Sequence, residues 1–308
     1  PEYNEQTIYS WKLLPFGGSC MMLGEEEDIA DDSSFSRKSV YARMAIIFAG
    51  PFFNFILAFI FSVILTAVMG YQSPQITVVA DNTPAQKSGL QVGDVVKEIN
   101  GKTMTIDGDI SLYTAYYGFP KGEDVTMVVE RDGQEKTIVM KPELMKDASG
   151  NEDYRIGINH GKWEKVGVLG NLKYSTYEMK YWIETVVKSL QGLVTKRFKT
   201  SDVSGPVGIV STMGKNIEAS GDKDNGGGPG MMVMSMIYWC IMLSANLGVM
   251  NLLPIPALDG GRLLFLIIEW IRRKPMNPKY EGYVNMAGFM LLMLLMVVIL
   301  GHDIINLF

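Results

Sequence analysis

Asn251-Leu252-Leu253-Pro254-Ile255-Pro256-Ala257-Leu258-Asp259-Gly260-Gly261-Arg262 is the stretch on which the reading of this chain turns. It lies between an uncharged apolar run over residues 231–250 and a second apolar run over residues 263–271. That placement puts Asp259 at membrane depth or at its edge. A carboxylate at the centre of a membrane helix costs about 2.5–3.5 kcal/mol on insertion scales, so it calls for a compensating partner, of which a bound cation is one. Two prolines two residues apart and a Gly-Gly pair deny the region a regular helix. Non-helical backbone at that depth is tolerated only where it lines a cavity or is buried in protein. The stretch therefore predicts a buried polar site.

Working outward, residues 44–69 carry no charged side chain, nor do 231–253 or 282–301. At ~1.5 Å per residue the first of these reaches ~39 Å, enough to span a bilayer with tilt. Three segments thus pass the length test, and the 308-residue chain reads as an integral membrane protein with a large polar insert. A net charge of −5 is mild and argues against nucleic-acid binding. Cys20 and Cys240 fall in a pre-membrane loop and in a membrane segment, which makes them an implausible disulfide pair. Arg37, Lys38 and Arg43 precede the first span, and Arg262, Arg272, Arg273, Lys274 and Lys279 lie between the last two. By the positive-inside rule both places are cytoplasmic, and the insert over residues 71–230 is extracytoplasmic.

The stretch at 251–260 resembles the Asn-x-x-Pro-x-Pro-x-Leu-Asp-Gly motif of the site-2 proteases, intramembrane zinc metalloproteases, and most of all their bacterial regulator-of-sigma-E type. The resemblance implies that Asp259 is a zinc ligand and that Asn251 and Pro254 shape the substrate cleft. Gly50-Pro51-Phe52-Phe53-Asn54 matches the family's Gly-Pro-x-x-Asn element, and Gly205-Pro206-Val207-Gly208-Ile209-Val210 resembles another family element. Ile8 to Gly18, where short apolar and polar residues mix before a Pro/Gly break, suits a strand and turn and is similar to the family's membrane-dipping β-loop.

The insert begins with strand-like runs separated by turns. Pro84 to Gly101 reads as a short helix stopped by Gly89, a turn at Gly93-Asp94, an alternating strand and an Asn100-Gly101 hairpin turn. This run is similar to a PDZ-domain signature. Residues 125–130 and 136–141 form a second hairpin about Asp132-Gly133, and residues 107–117 supply a groove-lining helix. In PDZ domains that groove takes an extended peptide as an added strand, or the domain acts as a gate against bulky substrates. Apolar positions from Leu172 to Leu193 give an amphipathic helix that lies on the membrane face or packs as core, and residues 219–230 give a flexible loop.

The expected fold is a multi-pass α-helical membrane protein with an inserted extracytoplasmic α+β PDZ domain. Its parts are a juxtamembrane β-loop region (1–39), a transmembrane helix (40–70), the PDZ domain (71–146), an amphipathic-helix region with linker (147–230), and transmembrane helices carrying the motif (231–308).

A zinc protease needs about three protein ligands, an open position and a general base. In the resembled family two of those ligands are the histidines of a His-Glu-x-x-His helix. This chain holds two histidines, His160 and His302, and neither lies in such a motif. The chain opens on Pro1 where that helix should have ended, so truncation ahead of the motif is expected, with no activity in the chain as it stands. The resemblance implies a Zn2+ cofactor, single-pass transmembrane substrates such as anti-sigma factors and remnant signal peptides, and contact with membrane lipid. The alternative from another class is a PDZ-bearing membrane scaffold or pseudoprotease that holds peptides without cutting them.

Overall fold

A computed structural model of the chain describes residues 22–24, 31, 33–146, 152–197, 205–222, 226–276 and 278–307. The β-loop expected between Ile8 and Gly18, and Cys20, lie outside the described residues.

Helix α1 (Val40–Met69) opens on the Ser39 side chain, which accepts from the Ala42 amide, and closes at Gly70, whose φ of 93° an L side chain rarely adopts. Pro51 sits inside it. The ring removes one backbone bond, and the cost is absorbed on the buried face, where Ile47, Pro51, Ala58, Ser62 and Leu65 recur at intervals of three to seven residues.

The chain then builds a sheet. Strand β1 (Tyr71–Val79) is followed by the short helix α2 (Pro84–Lys87), strands β2 (Val95–Ile99) and β3 (Lys102–Thr103), and helix α3 (Asp107–Tyr117). Strands β4 (Val125–Arg131), β5 (Gln134–Met140), β6 (Glu143–Lys146), β7 (Glu152–Arg155) and β8 (Ile158–Glu164) follow. Both hairpin turns have positive φ at their two central residues, Asn100 and Gly101 in one, Asp132 and Gly133 in the other, as two-residue turns of this hand require. The sheet order is β5-β4-β2-β1-β8, with β3 paired to β2 and a separate β6-β7 pair. Val125, Met127 and Val129 alternate inward on β4 and meet Ile76, Val96, Ile99 and Ile110 in a closed core. Asp94, 1% exposed, is held by Arg131 through two hydrogen bonds of 2.6 Å.

The sheet does not stop at residue 146. Strand β8 lies beside β1 with Tyr71 opposite Glu164, and so takes residues that the sequence reading left to the helical region. At that junction Lys165 Nζ donates to the Val68 carbonyl, and a Cβ on Gly70 would collide with the Glu164 carbonyl.

Helix α4 (Val168–Val194) packs against α1, against α3, and against α6 (Pro229–Asn251), which follows α5 (Pro206–Gly221). Part of the amphipathic face expected from Leu172 to Leu193 is therefore a packing face, with Trp182 in a cluster with Ala58, Leu65, Ile241 and Ala245, while Leu172 and Val187 stay exposed. The α1–α6 contact is the most extensive between elements, and it is tight: a Cβ on Gly248 would stand 2.6 Å from the Phe55 ring. Helices α7 (Asp259–Arg272) and α8 (Pro278–Leu307) complete the chain. Among the described residues three helical stretches, Val40–Met69, Pro229–Asn251 and Tyr280–Gly301, are long and apolar enough to cross a membrane.

Candidate functional site

The loop between α6 and α7 is built from its prolines and glycines. Helix α6 unwinds in short turns, Leu252 N donating to Val249 O and Leu253 N to Met250 O, each at 3.1 Å. Pro254 and Pro256 prevent a further helical turn, and Leu258 N reaches back to Ile255 O at 3.2 Å. Ala257 is left with a φ of 75°, a conformation that costs an L residue about 1–2 kcal/mol. It is held there from α8: Asn285 Oδ1 accepts from the Ala257 amide at 3.3 Å, and Gly288 lets α8 close to within 2.5 Å of Pro256 Cβ, measured from where its own Cβ would be. Gly260 and Gly261 lie directly under the loop, where a Cβ would collide with the carbonyls of Leu253 and Ile255 respectively. The Gly-Gly pair thus serves close approach between loop and helix.

This packing fixes Asp259 at the first residue of α7. A carboxylate there is favoured by the helix dipole. Asp259 is half-buried, and its Oδ2 lies 3.3 Å from the position of a Cβ on Gly50, so a bare stretch of α1 backbone faces the carboxylate. Helix α7 runs antiparallel to α1. Ten residues further on, Glu269 pairs with Arg43, and Trp270 Nε1 donates to Tyr41 Oη at 2.8 Å. Gly50 lies about 15 Å from the start of a helix about 45 Å long, and Asp259 therefore sits about a third of the way along α1.

The other residues singled out from sequence lie around this point. Asn251 ends α6 and is half-buried, and Pro254 is exposed on the loop. Asn54 is half-buried one turn beyond Gly50, on the same side of α1. Among the described residues no three His, Cys, Asp or Glu side chains converge on one point. These residues by themselves therefore do not make up a zinc site, and Asp259 contributes a single carboxylate donor. His160 lies far along the chain from this loop, on β8, where its Nδ1 bonds Asp107 of α3.

Sequence reasoning did not identify Asn285 and Gly288 as supports of the loop. It also missed Asp303 of α8, 6% exposed, whose carboxylate accepts from the amides of Gly205 and Gly208 at 3.0 Å each and so caps α5. The available signal was a polar residue within or next to an apolar run.

The sequence profile of peptidase family M50 matches residues 2–295. The chain belongs to that family. An M50 assignment makes it a member of a membrane protease family, consistent with its three long apolar helices. It is 38% identical over 288 residues to the regulator of sigma-W protease RasP of Bacillus subtilis, covering 92% of this chain and 64% of that protein. It is 37% identical over 273 residues to the zinc metalloprotease RasP of Geobacillus kaustophilus, covering 88% of this chain and 60% of that one. A Clostridium acetobutylicum protein is 35% identical over 301 residues, 98% of this chain and 84% of its own length. The chain thus spans less than two thirds of both RasP proteins. The Geobacillus kaustophilus relative is named a zinc metalloprotease, which implies zinc as the metal.

Proposed function

We propose that this M50 chain carries part of the active site of an intramembrane zinc metalloprotease that cleaves single-pass membrane proteins in regulated intramembrane proteolysis. Anti-sigma factors and remnant signal peptides are the substrate classes, and the sigma-W regulation in the name of one relative supports the first. The observation that carries this reading is the position of Asp259, facing bare backbone at Gly50 in the interior third of an apolar helix. In this reading Asp259 is one zinc ligand. Asn251 and Pro254, at the two ends of the unwinding of α6, hold an extended substrate segment beside it.

The sheet between α1 and α4 is read as an extracytoplasmic PDZ domain. Support comes from its terminal strand, β8, which pairs with β1 on one side and has α3 alongside. An edge strand beside a helix is the geometry in which an extended peptide adds to a sheet. The basic residues at the start of α1 and after α7 support a reading in which those ends are cytoplasmic.

The test is cleavage of a single-pass reporter in cells expressing the complete reading frame, with wild type against Asp259→Asn. Loss of cleavage with the protein level unchanged is the expected result. Cleavage that persists in the variant would overturn the role given to Asp259, and wild-type cleavage no higher than in cells lacking the gene would leave the peptide-holding scaffold as the reading.

A further inference from the structure

Where the sheet meets the helices there is a cavity of about 70 Å³, lined from β1, β8, α3, α4 and the facing ends of α1 and α6. That volume is several times what one water requires. Two carboxylates, Asp107 and Glu178, share the cavity with the rings of Trp163, Tyr174, Tyr181 and Tyr238, and neither lysine nor arginine lines it. Tyr181 is pressed against the start of α3, 2.9 Å from where a Cβ on Gly108 would be. Tyr174 stacks on Tyr71 at 3.6 Å.

The two acids are unequally served. Asp107 bonds His160 Nδ1. Glu178 takes one hydrogen bond, at Oε1, from Trp182 Nε1 at 3.2 Å, and its Oε2 takes none from the described residues. Burial pushes the Glu178 carboxyl up to about 7, and the negative charges of Asp109 and Asp107 push it the same way. The nearest lysine on its own helix, Lys180, is paired outward with Glu184.

Aromatic faces around an under-compensated carboxylate form a receptor for an organic cation: the rings supply cation–π attraction and the carboxylate supplies charge. We propose that this cavity binds the ammonium group of a lysine side chain, presented by a peptide lying along the outer edge of β8. The choice of a peptide rests on the strand-addition reading above, and on the placement of Trp163 on β8 and of Asp107 at the start of α3. Trp163 stands on the strand that such a peptide would pair with, and Asp107 bonds His160 of the same strand. The cavity is then a specificity pocket for a basic residue in the extracytoplasmic segment of a bound chain, separate from the loop at Asp259.

The test is a binding measurement on the purified chain in detergent, using n-butylammonium against 1-butanol, then a capped lysine peptide against its norleucine analogue. Saturable binding of the ammonium and the lysine peptide, weakened about tenfold in Glu178→Gln, is expected. Trp163→Leu, at a position 45% exposed, removes one ring without touching the core and should weaken binding in the same way, with melting checked for both variants. Equal responses to the charged and neutral probes, or no effect of either substitution, would overturn the proposal. A response confined to nanodiscs containing phosphatidylethanolamine would overturn the peptide assignment and give the pocket to a lipid headgroup. The measurement contains no cleavage step, so a protein that failed the reporter assay could still pass this one.

Discussion

The carboxylate of Asp259 and the backbone of Gly50 come from opposite ends of the chain and meet with Oδ2 3.3 Å from the place a Cβ would occupy. No larger residue at position 50 keeps that approach. Gly50→Ala brings a methyl into tight contact that a small shift of the carboxylate relieves, and a several-fold loss of reporter cleavage is expected. Gly50→Leu displaces the carboxylate altogether and should match Asp259→Asn, with the folded yield from detergent extraction retained.

The loop depends on close approach more than on apolar burial. Gly260→Ala drives a methyl into the Leu253 carbonyl and should lower stability by about 1–3 kcal/mol, the usual scale of overpacking. Asn285→Leu leaves the fold standing but releases the Ala257 amide. Proteolytic nicking between residues 252 and 258 should then rise while the melting of the sheet domain stays where it was.

Arg131 holds a buried carboxylate. Burial pushes Asp94 up, but the Arg131 guanidinium and the Gln91 amide outweigh it and hold the carboxyl below its usual range. The stability that follows is present above the unfolded carboxyl value of 3.8 and is lost as pH falls through the lower folded value. Arg131→Met leaves the charge without its partner and should cost about 3–5 kcal/mol at neutral pH. Chemical denaturation of the wild type and the variant at neutral pH and near pH 3 checks both parts.

Glu178 has the opposite sign. Its folded value of about 7 lies above the ordinary 4.5, so its contribution to stability is complete below 4.5 and is lost as pH rises to about 7. Asp107, Asp109, His160, Tyr174, Tyr181 and Tyr238 are titratable groups around it. The melting temperature should fall over that interval, and Glu178→Gln should remove much of the slope.

Asp303 caps α5 across 95 or more residues of sequence. Asp303→Ala should cost about 0.5–2 kcal/mol, the scale of a lost helix cap. Faster amide exchange at Gly205 and Gly208, with exchange in β4 unchanged, would locate the loss at this contact.

What was legible in the sequence has a local cause. Three uninterrupted apolar runs mark the helices apolar enough to cross a membrane, and Asn100-Gly101 and Asp132-Gly133 mark turns that need positive φ. Pro254 and Pro256 signalled the break between α6 and α7, whereas Gly260 and Gly261, expected to share in that break, lie in the first turn of α7 and serve as its packing surface. Strand β8 escaped because Ile158-Asn159-His160-Gly161-Lys162-Trp163-Glu164 does not alternate apolar with polar and follows a stretch with linker composition. Helix α5 was concealed by serine, threonine, asparagine and glycine, weak helix formers supported here by a cap from α8. The cavity around Glu178 joins residues 71 positions apart, Asp107 and Glu178, and only the packing of α4 on α3 brings them together.

The pairing of β1 with β8 has a mechanical outcome. The polypeptide enters the sheet and leaves it through two strands bonded side by side, clamped where Lys165 holds Val68 and Tyr71 stands opposite Glu164. The sheet is therefore tied to the long helices twice, at this two-stranded stalk and where α3 packs on α4. Force applied to it reaches α1 and α4 together, and any swing of the sheet loads both at once.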